Sequence, residues 1–305
     1  MLSLKNVSFS YRKKPVLNSI TFSVKPGDCL AIVGQSGSGK STLLKLIFGK
    51  LDVPVGAISW KKEHILGPKN KLVVGHDFMK YVSQEFELMP YTTVAENIET
   101  YLSNFFPLEK KRRTKELLKV VELESFANTK VQFLSGGQKQ RVALARAIAK
   151  QPEVILLDEP FSHIDSFKKQ SLRKSYFKYL KTNNIACVMA THDKEDVLPF
   201  ADHMIVLNNG EVLAKGAPSE LYKEPQLPFV AAFFDVFCVI NNKIYYAQQL
   251  FVVDKSPVKV VVRQSFYKGS FYLIEAQFNE STVYFNHDVE LAKNIAVYLG
   301  GVDGL

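Results

Sequence analysis

Along residues 2–24 apolar and polar positions alternate, with β-branched and aromatic side chains prominent in SLKNVSFSY and SITFSV, which predicts two antiparallel strands. The run Cys29-Leu30-Ala31-Ile32-Val33 is apolar throughout, ends in a glycine-rich segment and precedes a helical pattern at residues 41–48. Buried strand, glycine-rich loop and helix, in that order, begin an α/β unit. Residues 107–150 carry apolar positions at helical spacing, first Leu117, Leu118 and Val121, then Val142, Ala145, Ile148 and Ala149, and predict helix. After Pro152, Val154-Ile155-Leu156-Leu157 is a second buried strand and residues 185–190 a third. Continuous apolar strands alternating with helices indicate a mainly parallel sheet covered on both faces.

The pattern changes near Pro225 and Pro228. From Val236 onward the segments VFCVI, KIYYA, KVVVRQ, SFYLIEAQF and STVYF are short, aromatic and β-branched, and turn residues separate them, the spacing of a small all-β barrel. A boundary near residue 230 divides the chain into a first domain, 1–230, and a second, 231–305. The length agrees, since 305 residues is near twice the soft prior of about 150 for one domain.

Composition adds little beyond excluding collagen-like, disordered and mini-protein classes, with 47% hydrophobic and 23% charged residues. The three cysteines, Cys29, Cys187 and Cys238, are far apart and include no CxxC pair, which argues against a disulfide framework or a zinc site and fits a reducing compartment. The formal charge of +9 is uneven: residues 235–305 hold six Lys and Arg against seven Asp and Glu, so the excess lies in the first domain. A basic surplus leaves open nucleic acid, a phosphorylated ligand or an anionic membrane surface as partner. The longest apolar run, 227–240, contains Pro228 and Asp235 and is too short for a spanning helix. The first residues form no apolar signal core, so a cytosolic protein reaching a membrane through a partner is expected.

The chemistry concentrates in a few segments. Gly34-Gln35-Ser36-Gly37-Ser38-Gly39-Lys40-Ser41-Thr42 fits the phosphate-loop pattern in its required context, strand before and helix after. Glycines allow backbone N–H groups to turn inward around phosphate oxygens, and the helix start adds partial positive charge. Lys40 is expected to reach the β- and γ-phosphates and Ser41 to offer its hydroxyl to Mg²⁺. The second buried strand delivers Asp158, expected to hold Mg²⁺ through water, and then Glu159, placed to act as general base on an attacking water. Leu134-Ser135-Gly136-Gly137-Gln138 has the form of a capped helix start with exposed backbone donors, a second anion site. The basic run at residues 110–115 lacks interleaved aromatics and is expected to be a solvated helix start, with anionic lipid headgroups as a further option.

The order of GQSGSGKST, Gln84, LSGGQ, VILLDEP, Asp165 and Thr191-His192-Asp193 resembles the ATP-binding subunit of ABC transporters, across residues 1 to about 230. The resemblance implies an α/β fold with a P-loop NTPase core, an antiparallel β subdomain and a helical subdomain at about 85–150. It further implies that Tyr11 stacks on adenine and that Gln84 senses Mg²⁺ and the attacking water. His192 would contact the γ-phosphate and Asp165 would cross a dimer interface. Ser135, Gly136, Gly137 and Gln138 would close over nucleotide held by another subunit, in a homodimer or a pair with a second ATPase subunit. Phe86, Leu88, Met89 and Tyr91 would lie where a membrane permease docks. His163 and Ile164 stand where the family usually has a small residue and leucine.

The tail is similar to the small oligonucleotide-binding-like (OB-like) barrel called TOBE that follows the ATPase core in importers of polyamines, ferric iron, sulfate, molybdate and sugars. It favours an importer ATPase subunit with permease partners and a periplasmic or surface solute-binding protein, on the cytoplasmic side of the inner membrane. An exporter or lipoprotein-release ATPase would leave the tail unexplained. A soluble ABC protein acting on ribosomes or DNA typically carries two cassettes or a long coiled coil, and one phosphate loop with no sustained heptad argues against it and against nucleic acid as partner.

Overall fold

The computed structural model describes residues 1–302; residues 303–305, the last of the expected second domain, lie outside the described ones. The chain divides into two compact units, Met1–Pro218 and Ser219–Leu305.

The first unit opens with β1 (Leu2–Tyr11) and β2 (Lys14–Val24), paired antiparallel as their alternation predicts. Then come β3 (Cys29–Val33), α1 (Lys40–Phe48), β4 (Val55–Trp60), the two-residue β5 (Glu63–His64) and β6 (Met79–Val82). A helical stretch follows, α2 (Val94–Glu99), α3 (Pro107–Val120) and α4 (Gly136–Ala147). The chain then returns through β7 (Val154–Asp158), α5 (Ser166–Thr182), β8 (Ala186–Ala190), α6 (Lys194–Val197), β9 (His203–Asn208) and β10 (Glu211–Gly216).

Two sheets result. One is antiparallel, in the order β2-β1-β4-β5; the other runs β10-β9-β3-β8-β7-β6 and is parallel except for β10 at its edge. Every residue of β3, β7 and β8 is buried, as uninterrupted apolar runs require of strands covered on both faces. The two sheets share one core: Leu2, Ile20, Ile58 and Trp60 pack with Ile32, Leu43, Leu156 and Val188. Trp60 closes the seam by donating its indole N–H to Glu153 at 2.7 Å, just ahead of β7.

The helix expected across 107–150 is two helices. α3 ends at Val120, followed by Glu122 in left-handed backbone (φ 54°) and two 3₁₀ turns, Glu124–Phe126 and Val131–Phe133. The second helix begins at Gly136, because Ser135 caps it: its Oγ accepts from the Gln138 N–H while the Gln138 side chain accepts from the Ser135 N–H. Periodicity marked the apolar face on each side, and the capped start at Ser135 marked where the second helix begins.

The second unit contains α7 from its first turn (Pro218–Lys223, starting one residue earlier), α8 (Pro228–Phe234) and an antiparallel hairpin of β11 (Phe237–Ile240) and β12 (Lys243–Tyr246). β13 (Phe251–Val253), β14 (Lys259–Tyr267), β15 (Tyr272–Phe278), β16 (Ser281–His287) and β17 (Ala296–Gly300) form a sheet ordered β13-β17-β14-β15-β16. Among the described residues β13 and β16 end the hydrogen-bonded order, and no ladder between them closes the sheet into the expected barrel. Cys238, Ile240 and Tyr245 of the hairpin pack with Val260, Ile274, Val283, Phe285 and Leu299 of the sheet in one core. Phe285 is fully buried there, and Phe285→Ala is expected to cost about 3–5 kcal/mol through lost transfer energy and the cavity left behind, read by denaturant unfolding.

Candidate active site

The glycine-rich loop links the carboxyl end of β3 to α1. Gly39 occupies the N-cap of α1 at φ 104° and offers no side-chain acceptor, so the first N–H groups of the helix stay available to a ligand. A side chain at that position would be strained by its backbone and would meet Leu17 at 2.8 Å. Lys40 folds back over the loop, its Nζ donating to the Gly34 carbonyl at 2.7 Å and the Gln35 carbonyl at 3.0 Å. Burial lowers the Lys40 pKa from its ordinary value of 10.5, and the charges of Glu159 and Asp158 oppose that shift.

β7 and β8 end beside this loop. Asp158 accepts from the Ser41 hydroxyl through Oδ1 at 3.0 Å and from the Tyr81 hydroxyl through Oδ2 at 3.0 Å. Burial, followed by the adjacent Asp158 charge, pushes the Tyr81 phenol well above the usual range, so it stays a donor. Next in the chain, Glu159 sits in left-handed backbone (φ 52°), a conformation that costs free energy in a residue with a side chain and needs surrounding contacts to persist. Those contacts are present: its N–H donates to the Ala190 carbonyl at 2.9 Å, and its carbonyl accepts from the Gln140 amide and the Ser162 hydroxyl, each at 3.0 Å. The turn aims the Glu159 carboxylate at His192, whose Nδ1 lies 2.8 Å from Oε2. His192 follows Thr191 at the end of β8, and the Thr191 hydroxyl is fixed to Asp196 at 2.6 Å.

A cavity of about 490 Å³ results, lined by Gly34, Ser36, Gly37, Gly39, Lys40, Ser41, Thr42, Gln84, Asp158, Glu159 and His192, together with Val16 and Ser162. Eleven residues singled out by sequence thus face one space. Gln35 and Ser38 belong to the same loop without lining it, and the Ser38 hydroxyl is buried without a partner. Oxygen donors suit Mg²⁺, and Ser41 with Asp158 supplies two of them at the cavity wall. Two protein oxygens suit a cation whose shell phosphate oxygens and water complete, as Mg²⁺ with a nucleotide does.

Of the remaining expectations, Tyr11 stands apart from the cavity, and the residues assigned to another subunit lie outside it too. Tyr11 is 45% exposed near the β1–β2 turn, with its ring edge against Phe9, and does not line the cavity. Ser135 and Gly136 are exposed at the start of α4, and Asp165 is exposed as the N-cap of α5, accepting from the Phe167 N–H. None of these residues lines the cavity of its own chain. Phe86 and Leu88 help line a second groove of about 330 Å³, with Phe48, Tyr81, Tyr101 and Arg146, while Tyr91 is 76% exposed outside it.

Sequence reasoning missed Gln140. It is buried on α4, and both ends of its amide are used: Nε2 donates to the Glu159 carbonyl and Oε1 accepts from the His163 N–H at 3.1 Å. Gly137, one turn earlier, lets α4 approach this segment so closely that a Cβ there would sit 2.7 Å from the His163 carbonyl oxygen. His163 in turn sets its ring edge-on to Phe86, two residues beyond Gln84. A polar residue repeating on the apolar face of a helix was the available signal. Tyr81 was also missed, since nothing local in sequence links it to Asp158.

Residues 17–162 match the family model described as ABC transporter. The chain is similar to the ATP-binding cassette MJ0796, solved as a dimer in a post-hydrolysis state with ADP and Pi, at 32% identity over 71% of this chain and 98% of that one, with a TM-score of 0.62. It is also similar to cbiO1 from Clostridium perfringens, part of the ABC transporter complex cbiONQ, at 28% identity over 73% of this chain and 91% of that one, with a TM-score of 0.65. With the phosphate loop, the Asp158–Ser41 pair and Glu159 in one cavity and relatives matched over nearly their whole length, the chain belongs to the ABC transporter family as an ATP-binding cassette subunit.

Proposed function

We propose that this chain hydrolyses MgATP as one half of a head-to-tail pair and thereby drives solute import through a membrane permease on the cytoplasmic side of the inner membrane. The observation carrying the ATPase reading is the Lys40, Ser41, Asp158, Glu159 and His192 constellation around a single cavity at the carboxyl ends of three parallel strands. ATP is the substrate. Lys40 exchanges its two loop carbonyls for phosphate oxygens, and the glycine-loop N–H groups bind the rest of the polyphosphate. Ser41 and Asp158 would hold Mg²⁺, which would supply neutralisation of phosphate charge. A water oriented by Gln84 attacks the γ-phosphorus, its proton passes to Glu159, and the bridging oxygen leaves with ADP. His192, exposed beside Glu159, is available to the γ-phosphate.

The paired arrangement is supported by the position of Ser135, Gly136, Gly137 and Asp165, which stand outside their own chain's cavity and are available to another copy or to a second ATPase subunit. A dimeric relative and a relative from a multi-subunit complex favour the same reading. Gln140 is then a positioning residue that ties α4 to the general base. The groove at Phe86 and Leu88 is the docking place for the permease. The β-rich second unit supports a TOBE-like role, and with it an importer of polyamine, ferric iron, sulfate or molybdate type that works with a solute-binding protein.

Glu159→Gln tests the reading directly. Turnover is expected to fall more than about a hundredfold while ATP traps a stable dimer on size exclusion; turnover at the unaltered rate would overturn the assignment of the base. Lys40 loses its proton at a lower pH than an ordinary lysine, so ATP affinity should weaken as pH rises through that lowered value, with proton uptake on binding along the alkaline limb. Calorimetry in buffers of differing ionisation enthalpy measures both effects, and Lys40→Ala should abolish them together with most of the affinity. Gln140→Ala leaves the His163 N–H without its partner and is expected to cost about 1–3 kcal/mol of stability. It should lower kcat with KM for ATP nearly unchanged, and Gln140→Met, of similar volume, should fare as badly, which a packing role would not produce.

A further inference from the structure

α3 has two faces of opposite character. Its inner face, Arg113, Thr114, Leu117 and Leu118, is buried, and Arg113 donates to the Ile148 carbonyl at 2.9 Å while pairing with Glu116. Leu108, Lys111, Arg112, Lys115 and Lys119 recur at spacings of three and four residues along the outer face, and all five are exposed. At the start of this face stand Phe105, 90% exposed, Phe106, 66%, and Leu108, 84%. Three large apolar residues within four positions at such exposure form a projecting edge, which has no folding advantage in water.

The charge of the helix is equally one-sided. It carries six Lys and Arg against Glu109 and Glu116, and those two acids are taken by Arg112 and Arg113. Lys110 reaches Glu99 and Asn104, whereas Lys111, Lys115 and Lys119 have no hydrogen bond or ion pair among the described residues. Apolar side chains at the tip and unpaired cations along the same face are the composition of a segment lying on an anionic bilayer: the tip enters the headgroup boundary and each ammonium lies near lipid phosphates. A protein groove would instead have to enclose the projecting tip and supply carboxylates along more than two turns of helix.

We propose that the Phe105–Leu108 edge and the outer face of α3 form a direct contact with an anionic membrane surface, separate from any contact made through a permease. The contact needs neither nucleotide nor a partner protein, so it can fail or succeed independently of the ATPase reading.

Co-sedimentation of the full chain with phosphatidylcholine vesicles, with and without phosphatidylglycerol, tests it. Partition onto the phosphatidylglycerol vesicles is expected, weakened by salt, with little onto phosphatidylcholine alone. The triple variants F105S/F106S/L108S and K111E/R112E/K115E should each reduce that partition more than about tenfold, the first by removing the inserted apolar edge and the second by removing cations near the lipid phosphates. Both should keep the ATP turnover of the unaltered chain, because they lie outside the nucleotide cavity, and Lys40→Ala should partition like the unaltered chain. Equal binding to neutral vesicles, absence of binding, or triple variants that bind normally would overturn the proposal. Retention by single-stranded RNA without retention by anionic vesicles would also overturn it, in favour of a nucleic-acid surface.

Discussion

Glu159 leaves a buried strand in left-handed backbone, and the rest of the site is arranged around that constraint. A strand continuing straight from Asp158 would carry the next side chain away from the phosphate loop. The turn instead brings two successive carboxylates to one cavity with different partners, Asp158 with Ser41 and Tyr81, Glu159 with His192. Such a conformation persists only where neighbours hold it. The holders come from three different segments: Ala190 at the end of β8, Ser162 just beyond the turn, and Gln140 on α4.

That dependence makes α4 a support of the turn. Its first turn carries exposed Ser135 and Gly136, and its second turn grips the backbone of Glu159 and His163. With Gly137 drawn close to the His163 carbonyl, little slack remains between helix and loop. The His163 ring against Phe86 extends the same chain of contacts toward the groove beyond Gln84. His163, which departs from the family's usual small residue, therefore has an aromatic neighbour to fill the space it occupies.

Much of this was legible in sequence where the information is local. The phosphate loop, the strand ending in Asp158 and the capped start at Ser135 are contiguous patterns whose function follows from backbone geometry alone. Gln140 and Tyr81 were not legible, because their partners lie 19 and 77 positions away and neither residue type is diagnostic. The pairing of β9 with β10 had a signal that went unused: Asn208-Asn209-Gly210 between apolar runs marks a hairpin. β13 was missed because three residues give alternation too little length to register, and β17 was missed although it is as long as strands found elsewhere. In the second unit the segments with the strongest aromatic and β-branched content were identified, but strand content alone did not reveal whether their order would close a barrel or leave edges.

The posture of Lys40 has a consequence for selectivity. Its ammonium is satisfied by the Gly34 and Gln35 carbonyls. A neutral molecule entering the cavity would have to strip two charge-assisted hydrogen bonds and offer weaker ones in return. A polyanion offers stronger ones and frees both carbonyls to turn elsewhere. Displacing those two bonds favours a ligand of dense negative charge over a neutral one.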